Sequence, residues 1–278
     1  MDSANTLRLA LACIAACACS RVSREHVEGT PAMSVIIFRD SNGRVLTSAD
    51  LQGFTGKVRW EVIGTDAVPI EAKRLHDAGR QAGGTGDYAR AVDLLRASSA
   101  RAPGWPYPVY DLAFTYLVMG QDAQSLAAYE RVDAMAPRGF FTAKTAVDSL
   151  RKEAAGKLPK GIYLGYVGLE WVSAAEKQAL ASQLVQRCPE FAPGWKVFAL
   201  QQGDDAAVLR AIERGLSASP DPETLGMLLI NKAMRLNALG KRSEAKTILG
   251  TLALDPNVTL GTESLAKATL AGLIESER

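Results

Sequence analysis

Four cysteines, Cys13, Cys17, Cys19 and Cys188, and two histidines, His26 and His76, are the side chains best suited to nucleophilic or metal chemistry. The cysteines are too few and too scattered for a disulfide framework or a tetrahedral zinc site. A catalytic thiol needs a nearby base, and nothing local supplies one to Cys188, which closes an expected helix and reads as a small buried hydrophobe. Asp40-Ser41-Asn42-Gly43 places Asp, Asn and Gly as in the third, fifth and sixth positions of a calcium loop. Phe38 and Ala49 then occupy the first and twelfth positions, where oxygen ligands are required, so the run reads as a hairpin turn. The glycines from Gly79 to Thr85 are spaced like those of a phosphate loop, but no lysine follows and a helix precedes them. Gly84-Thr85-Gly86 likewise lacks the preceding strand of a dinucleotide site. No Ser-His-Asp order, HExxH run or paired-carboxylate motif stands out, and Asp204-Asp205 suits a helix start. The expectation is no catalytic residue, no metal and no cofactor.

These side chains hang on a chain of 278 residues with 47% hydrophobic and 22% charged content, enough for one large or two ordinary globular domains. Lys and Arg number 32 against 30 acidic residues, a net charge of +2. With no dense basic stripe, nucleic acid is not an expected partner.

Residues 33 to 66 differ in pattern from the rest of the chain. Val35-Ile36-Ile37-Phe38 is β-branched and aromatic, Val45-Leu46 can return after the turn, and Val58-Arg59-Trp60-Glu61-Val62-Ile63 alternates apolar with polar. The expectation is a small N-terminal β-hairpin element that packs against the first helices, since a lone hairpin is marginal.

The remaining chain, 67 to 278, is periodic. Gly86-Asp87-Tyr88-Ala89-Arg90-Ala91-Val92-Asp93-Leu94-Leu95 aligns with Gly120-Gln121-Asp122-Ala123-Gln124-Ser125-Leu126-Ala127-Ala128-Tyr129 at an offset of 34, and Pro103 and Pro137 keep it. Leu239-Gly240-Lys241-Arg242-Ser243-Glu244-Ala245 repeats the pattern, closed by Pro256. In these features the chain resembles the tetratricopeptide-repeat family. The resemblance implies a mainly α fold, an α-solenoid of about five helix pairs. Residues 72–105, 106–139 and 222–257 are the clear repeats, 140–221 a degenerate stretch and 258–278 a capping helix with a polar outer face. It implies Gly79 and Ala113 at small first-helix positions, with Leu95 and Tyr129 filling the space between helices. Ala192-Pro193-Gly194-Trp195 repeats Ala102-Pro103-Gly104-Trp105 and implies a second inter-repeat turn of the same kind. Ser173-Ala174-Ala175-Glu176 is a capping box, and residues 156 to 162 read as a longer loop in preference to a hinge.

Near the start, Leu7 to Ala18 is an apolar run too short to span a membrane as a helix. It ends in Ile14-Ala15-Ala16-Cys17, which resembles the bacterial lipobox. That likeness implies a signal peptide 1–16, acylation of Cys17, a tether 17–32 and attachment to a membrane through the lipid. An ordinary secretory signal and no export at all stay open as alternatives. Ala18, in place of an aspartate, points to the outer membrane of a bacterial envelope, facing the periplasm.

The tetratricopeptide resemblance also implies a groove built from first-helix positions: Lys73, His76 and Arg80 in the first pair, Tyr107, Tyr110 and Phe114 in the second. Cations beside aromatics suit an acidic or carboxyl-bearing peptide, and packing of the aromatics into the core is the competing role. The expected function is a non-catalytic, lipid-anchored envelope scaffold that binds a protein or peptide partner in assembly, secretion or regulation. The alternatives are a structural subunit of an envelope complex, or an enzyme with a site between the β element and the helices around His76, Glu61 or Asp77. The sequence does not set the oligomeric state.

Overall fold

The computed structural model describes residues 35–39, 44–46, 59–63 and 68–275. The expected signal segment 1–16, Cys17, the tether 17–32 and the turn Asp40-Ser41-Asn42-Gly43 lie outside the described residues. Strand β1 (Val35–Arg39) lies between β2 (Val45–Leu46) and β3 (Arg59–Ile63), antiparallel to both, with Phe38 opposite Leu46 on one side and Trp60 on the other. The described chain from residue 68 onward is helices and turns. It divides into two compact units, the first ending at Ala128 and the second beginning at Tyr129.

The first unit carries α1 (Ile70–Gly84), α2 (Tyr88–Arg101), α3 (Pro106–Val118) and the start of α4 (Asp122–Met135). Helix α1 ends in a left-handed turn at Gly86, φ +85°. There Gly86 N–H bonds Gly83 O at 3.0 Å and Asp87 N–H bonds Ala82 O at 2.9 Å, which satisfies carbonyls the helix end would otherwise orphan. Thirty-four residues on, Gly120 (φ +70°) and Gln121 do the same to Leu117 and Tyr116. Asp87 then caps α2 by accepting from Arg90 N–H. Across the pair, a Cβ on Gly79 would stand 2.8 Å from Leu95 Cγ, so only glycine admits this approach. The Ser98 hydroxyl donates to Ala72 O at 2.7 Å, and Ser125 to Ala113 O at 2.9 Å. Both bonds lock helices together in the core without leaving a buried hydroxyl unserved.

The second unit holds the end of α4, then α5 (Ala143–Ala154), α6 (Ile162–Gly168), a 3-10 turn (Leu169–Trp171) and α7 (Ala174–Arg187). There follow α8 (Ala192–Ala199), α9 (Asp205–Ser217), α10 (Pro222–Ala238), α11 (Arg242–Leu254) and α12 (Leu260–Glu275). Gly240 closes α10 with the turn seen at Gly86, and so does Gly156 at the end of α5. The 156–162 segment is tied further by Glu153, whose carboxylate accepts from Gly161 N–H at 2.6 Å and Tyr163 N–H at 2.7 Å and so caps α6 from the neighbouring helix. Ser173 and Glu176 form the full capping box of α7.

The second Ala-Pro-Gly-Trp run, at 192–195, is not an inter-repeat turn. Ala102 leaves α2 at φ −136°, ψ 74°, and its match is Cys188 at φ −141°, ψ 70°, not Ala192. Trp105 N–H bonds Ala102 O at 3.0 Å, and Phe191 N–H bonds Cys188 O at 3.1 Å. Ala192-Pro193-Gly194-Trp195 instead opens α8, with Pro193 in its first turn. Proline forces the residue before it out of the helical region, so Pro103 and Pro189 end helices. At a helix start the missing N–H costs nothing, which leaves Pro193 compatible with α8.

The second unit also closes on itself. Leu260 N–H bonds Arg138 O at 2.8 Å, the Arg138 guanidinium pairs with Glu263 and reaches Val258 O at 3.2 Å, and Thr145 N–H bonds Glu223 at 3.0 Å. The α10–α12 approach is close enough that a Cβ on Gly226 would collide with the Thr262 hydroxyl. The expected polar outer face of α12 is reduced, since Glu263 pairs with both Arg138 and Lys267 and Ile274 is exposed. Two core clusters of this unit are aliphatic, Ala199, Val208, Ile212 and Leu228 in one and Ile230, Leu236, Leu249 and Leu252 in the other, while Tyr129, Tyr163, Tyr166 and Phe191 form a buried run of ring contacts.

Candidate functional site

In the first unit α1 and α3 lie side by side, which brings the expected partner-binding residues onto neighbouring helices. Lys73 is exposed, while Arg80, Tyr107, Tyr110 and Phe114 are half-buried. His76 is 5% exposed, so it supports this face from below and contributes almost no surface to it. Its Nε2 lies 2.7 Å from Asp111 Oδ2, and its ring packs edge-on against Trp105 with centroids 4.8 Å apart. Arg80 Nε approaches the same carboxylate oxygen at 3.6 Å. Tyr107 continues the aromatic stack, 5.8 Å from Trp105 and 6.3 Å from His76.

Asp111 and Trp105 are the residues that sequence reasoning missed. One repeat period after His76 comes Tyr110, and Asp111 is the next residue on α3, so the one available signal was a carboxylate a single step out of register. Asp111 changes the electrostatics expected of this face. His76 and Arg80 both face the Asp111 carboxylate, which leaves Lys73 as the exposed charge among the expected residues.

A second polar cluster lies in the second unit. Asp221, 5% exposed, caps α10 through Oδ1, which accepts from Glu223 N–H at 3.0 Å and Thr224 N–H at 3.1 Å. The Thr145 hydroxyl on α5 stands 2.9 Å from Asp221 Oδ1 and 3.1 Å from Glu223 Oε2. One hydroxyl proton cannot serve both carboxylates. Burial, and next the charge of Asp221, push Glu223 up to about 8, so near neutral pH it keeps a proton that relieves the pair. Burial alone would lower Lys196, but Tyr166, Asp221 and Glu223 hold it above its ordinary value. Asp221 Oδ2 and Glu223 Oε1 are buried without a hydrogen-bond partner among the described residues. Cys188 is fully buried, and burial together with Glu190 raises its thiol to about 12, which makes it a packing residue and a poor nucleophile.

Among the described residues no group of three or more His, Cys, Asp or Glu side chains could hold a metal ion, and no helix is long and apolar enough to cross a membrane. No family model matches the sequence, and no curated protein matches it. Similar solved structures are tetratricopeptide proteins. A thermophilic one from Thermus thermophilus is 18% identical, with 72% of this chain and 99% of that one covered and a TM-score of 0.30. One from Parabacteroides merdae is 14% identical, with coverages of 73% and 86% and a TM-score of 0.33. The TPR2AB domain of yeast Sti1, in its complex with pHSP90, is 12% identical, with coverages of 74% and 86% and a TM-score of 0.36. These superpositions are loose, and it is the chain's own recurring glycine and proline turns that make it a mainly helical protein of tetratricopeptide-like helix pairs.

Proposed function

We propose that this protein is a non-catalytic scaffold, anchored through an acylated Cys17 to a bacterial envelope membrane, that holds a protein or peptide partner on the α1/α3 face of its first unit. The observation that carries the reading is the convergence of Lys73, Arg80, Tyr107, Tyr110 and Phe114 on two adjacent helices braced by the His76–Asp111 contact. A face of this composition gains affinity from aromatic anchors in a desolvated centre, with Lys73 supplying charge at its edge. Because the Asp111 carboxylate is already set against Arg80 and the His76 ring, the partner needs an apolar side chain more than it needs an acidic one.

The test is photo-crosslinking from position 73 in membranes of an expressing bacterium, with intact-mass analysis of the same protein beside Cys17→Ser. The reading expects a mature chain beginning at an acylated Cys17, and a crosslinked partner lost in Tyr110→Ala. An unmodified, uncleaved chain removes the anchor. A partner indifferent to Tyr110→Ala and Arg80→Ala removes the face.

A further inference from the structure

The second unit contains a charged cleft that plays no part in the function proposed above. Three turns enclose it: the end of α5, the α7–α8 turn and the α9–α10 turn, around a volume of 530 Å³. Its wall carries the cations Lys152, Lys157 and Arg214 against a single carboxylate, Glu190. Lys152 is committed, bonded to Asp148 at 2.7 Å and to Ser219 O at 3.3 Å. Lys157 and Arg214 are exposed and make no ion pair with a described carboxylate. Arg214 leads out of the cleft, because its guanidinium lies 5.9 Å from the Trp195 ring centre. It also lines a second, 160 Å³ depression with Trp195, Phe198, Gln202 and Arg210. The two aromatics meet edge to face at 5.8 Å, and Trp195 is held by its Nε1 donating to Pro189 O at 2.7 Å.

We propose that this continuous surface is a docking site for an acidic, extended segment of a protein partner, with carboxylates between Lys157 and Arg214 and an apolar side chain against Trp195 and Phe198. Charge complementarity favours this occupant. The cations present donors for carboxylates, while the end of α9 at Ser217 and Ala218 brings backbone carbonyls to the cleft that no further helical turn engages. A peptide supplies both counterparts, carboxylate oxygens and backbone N–H groups. A phosphodiester chain brings negative oxygens along its whole length and would meet Glu190 and those carbonyls unfavourably. Trp195, held by its bond to Pro189 O, loses little freedom on binding, as suits an anchor.

The experiment uses the full chain and a fluorescein-labelled Gly-Glu-Glu-Phe-Glu-Glu-Gly peptide, its glutamine counterpart and polyuridylate, followed by fluorescence anisotropy. The acidic peptide binds about tenfold more tightly than the glutamine one, and Arg214→Glu and Lys157→Glu each weaken it about tenfold. The titrations are repeated in Lys73→Glu, which removes the exposed charge of the first-unit face: the expected result is binding retained in that variant and lost when Arg214→Glu is added to it, and binding that survives in the double variant overturns the proposal. Equal binding of the two peptides overturns the proposal. So does unchanged binding in Arg214→Glu, displacement by polyuridylate, or no binding at millimolar peptide. Arg214→Gln, checked by circular dichroism, serves where charge reversal disturbs folding.

Discussion

At the scale of single residues, the buried ionisable groups set the pH response. Glu223 has a folded-state value of about 8, above the usual carboxyl range near ~4.3. A group raised in this way gives its full stabilisation below the unfolded value and loses it as pH rises toward the folded one. The second unit should therefore lose stability between about pH 4 and 8, by on the order of a few kcal/mol. Glu223→Gln should flatten that loss, and urea melts at pH 5, 7 and 9 read the difference. Asp111→Ala leaves the buried His76 without its carboxylate and should cost roughly 1–3 kcal/mol, whereas Asp111→Asn keeps a hydrogen-bonding atom there and costs less. Chemical denaturation of the two variants side by side measures the gap.

Elements record how close two helices come and how each one stops. Gly226 and Gly250 both sit inside helices, yet a side chain on Gly226 meets Thr262 while one on Gly250 meets nothing within 4 Å. Gly226→Ala should thus destabilise by about 1–3 kcal/mol through overpacking, and Gly250→Ala should stabilise by up to about 1 kcal/mol through helix propensity. Thermal melts should move in opposite directions. Gly120→Ala, at φ +70°, should cost about 1 kcal/mol for a left-handed residue with a Cβ. These features were largely legible in the sequence, because a turn that needs positive φ needs glycine and the need recurs at each repeat. The inter-repeat turn was legible only where proline was weighed by position. In Ala192-Pro193-Gly194-Trp195 the identical letters serve a helix start, and the true counterpart, Cys188-Pro189-Glu190-Phe191, shares only its proline with Ala102-Pro103-Gly104-Trp105.

For the molecule as a whole, the helix pairs could be read from local pattern and the closure of the second unit could not. Arg138 meets Glu263 across 125 residues, and Thr145 meets Glu223 across 78. No periodicity carries such pairings, since they depend on how several crossing angles accumulate. The candidate site shows the same division: the repeat register makes His76 and Tyr110 equivalent positions, but it does not reveal the Asp111 carboxylate that meets His76 and Arg80. Ending the chain after Asn257 should therefore speed hydrogen exchange at Phe140 and Thr145, far upstream, as read by mass spectrometry. Chains built of stacked repeats ordinarily change length with ease over evolution, because a module added in the middle disturbs only its two neighbours. The contact of Arg138 with the α11–α12 turn withdraws that freedom from the second unit. An extra helix pair inserted between α9 and α10 would carry the last helices past their docking place, so this half of the protein has a fixed number of parts.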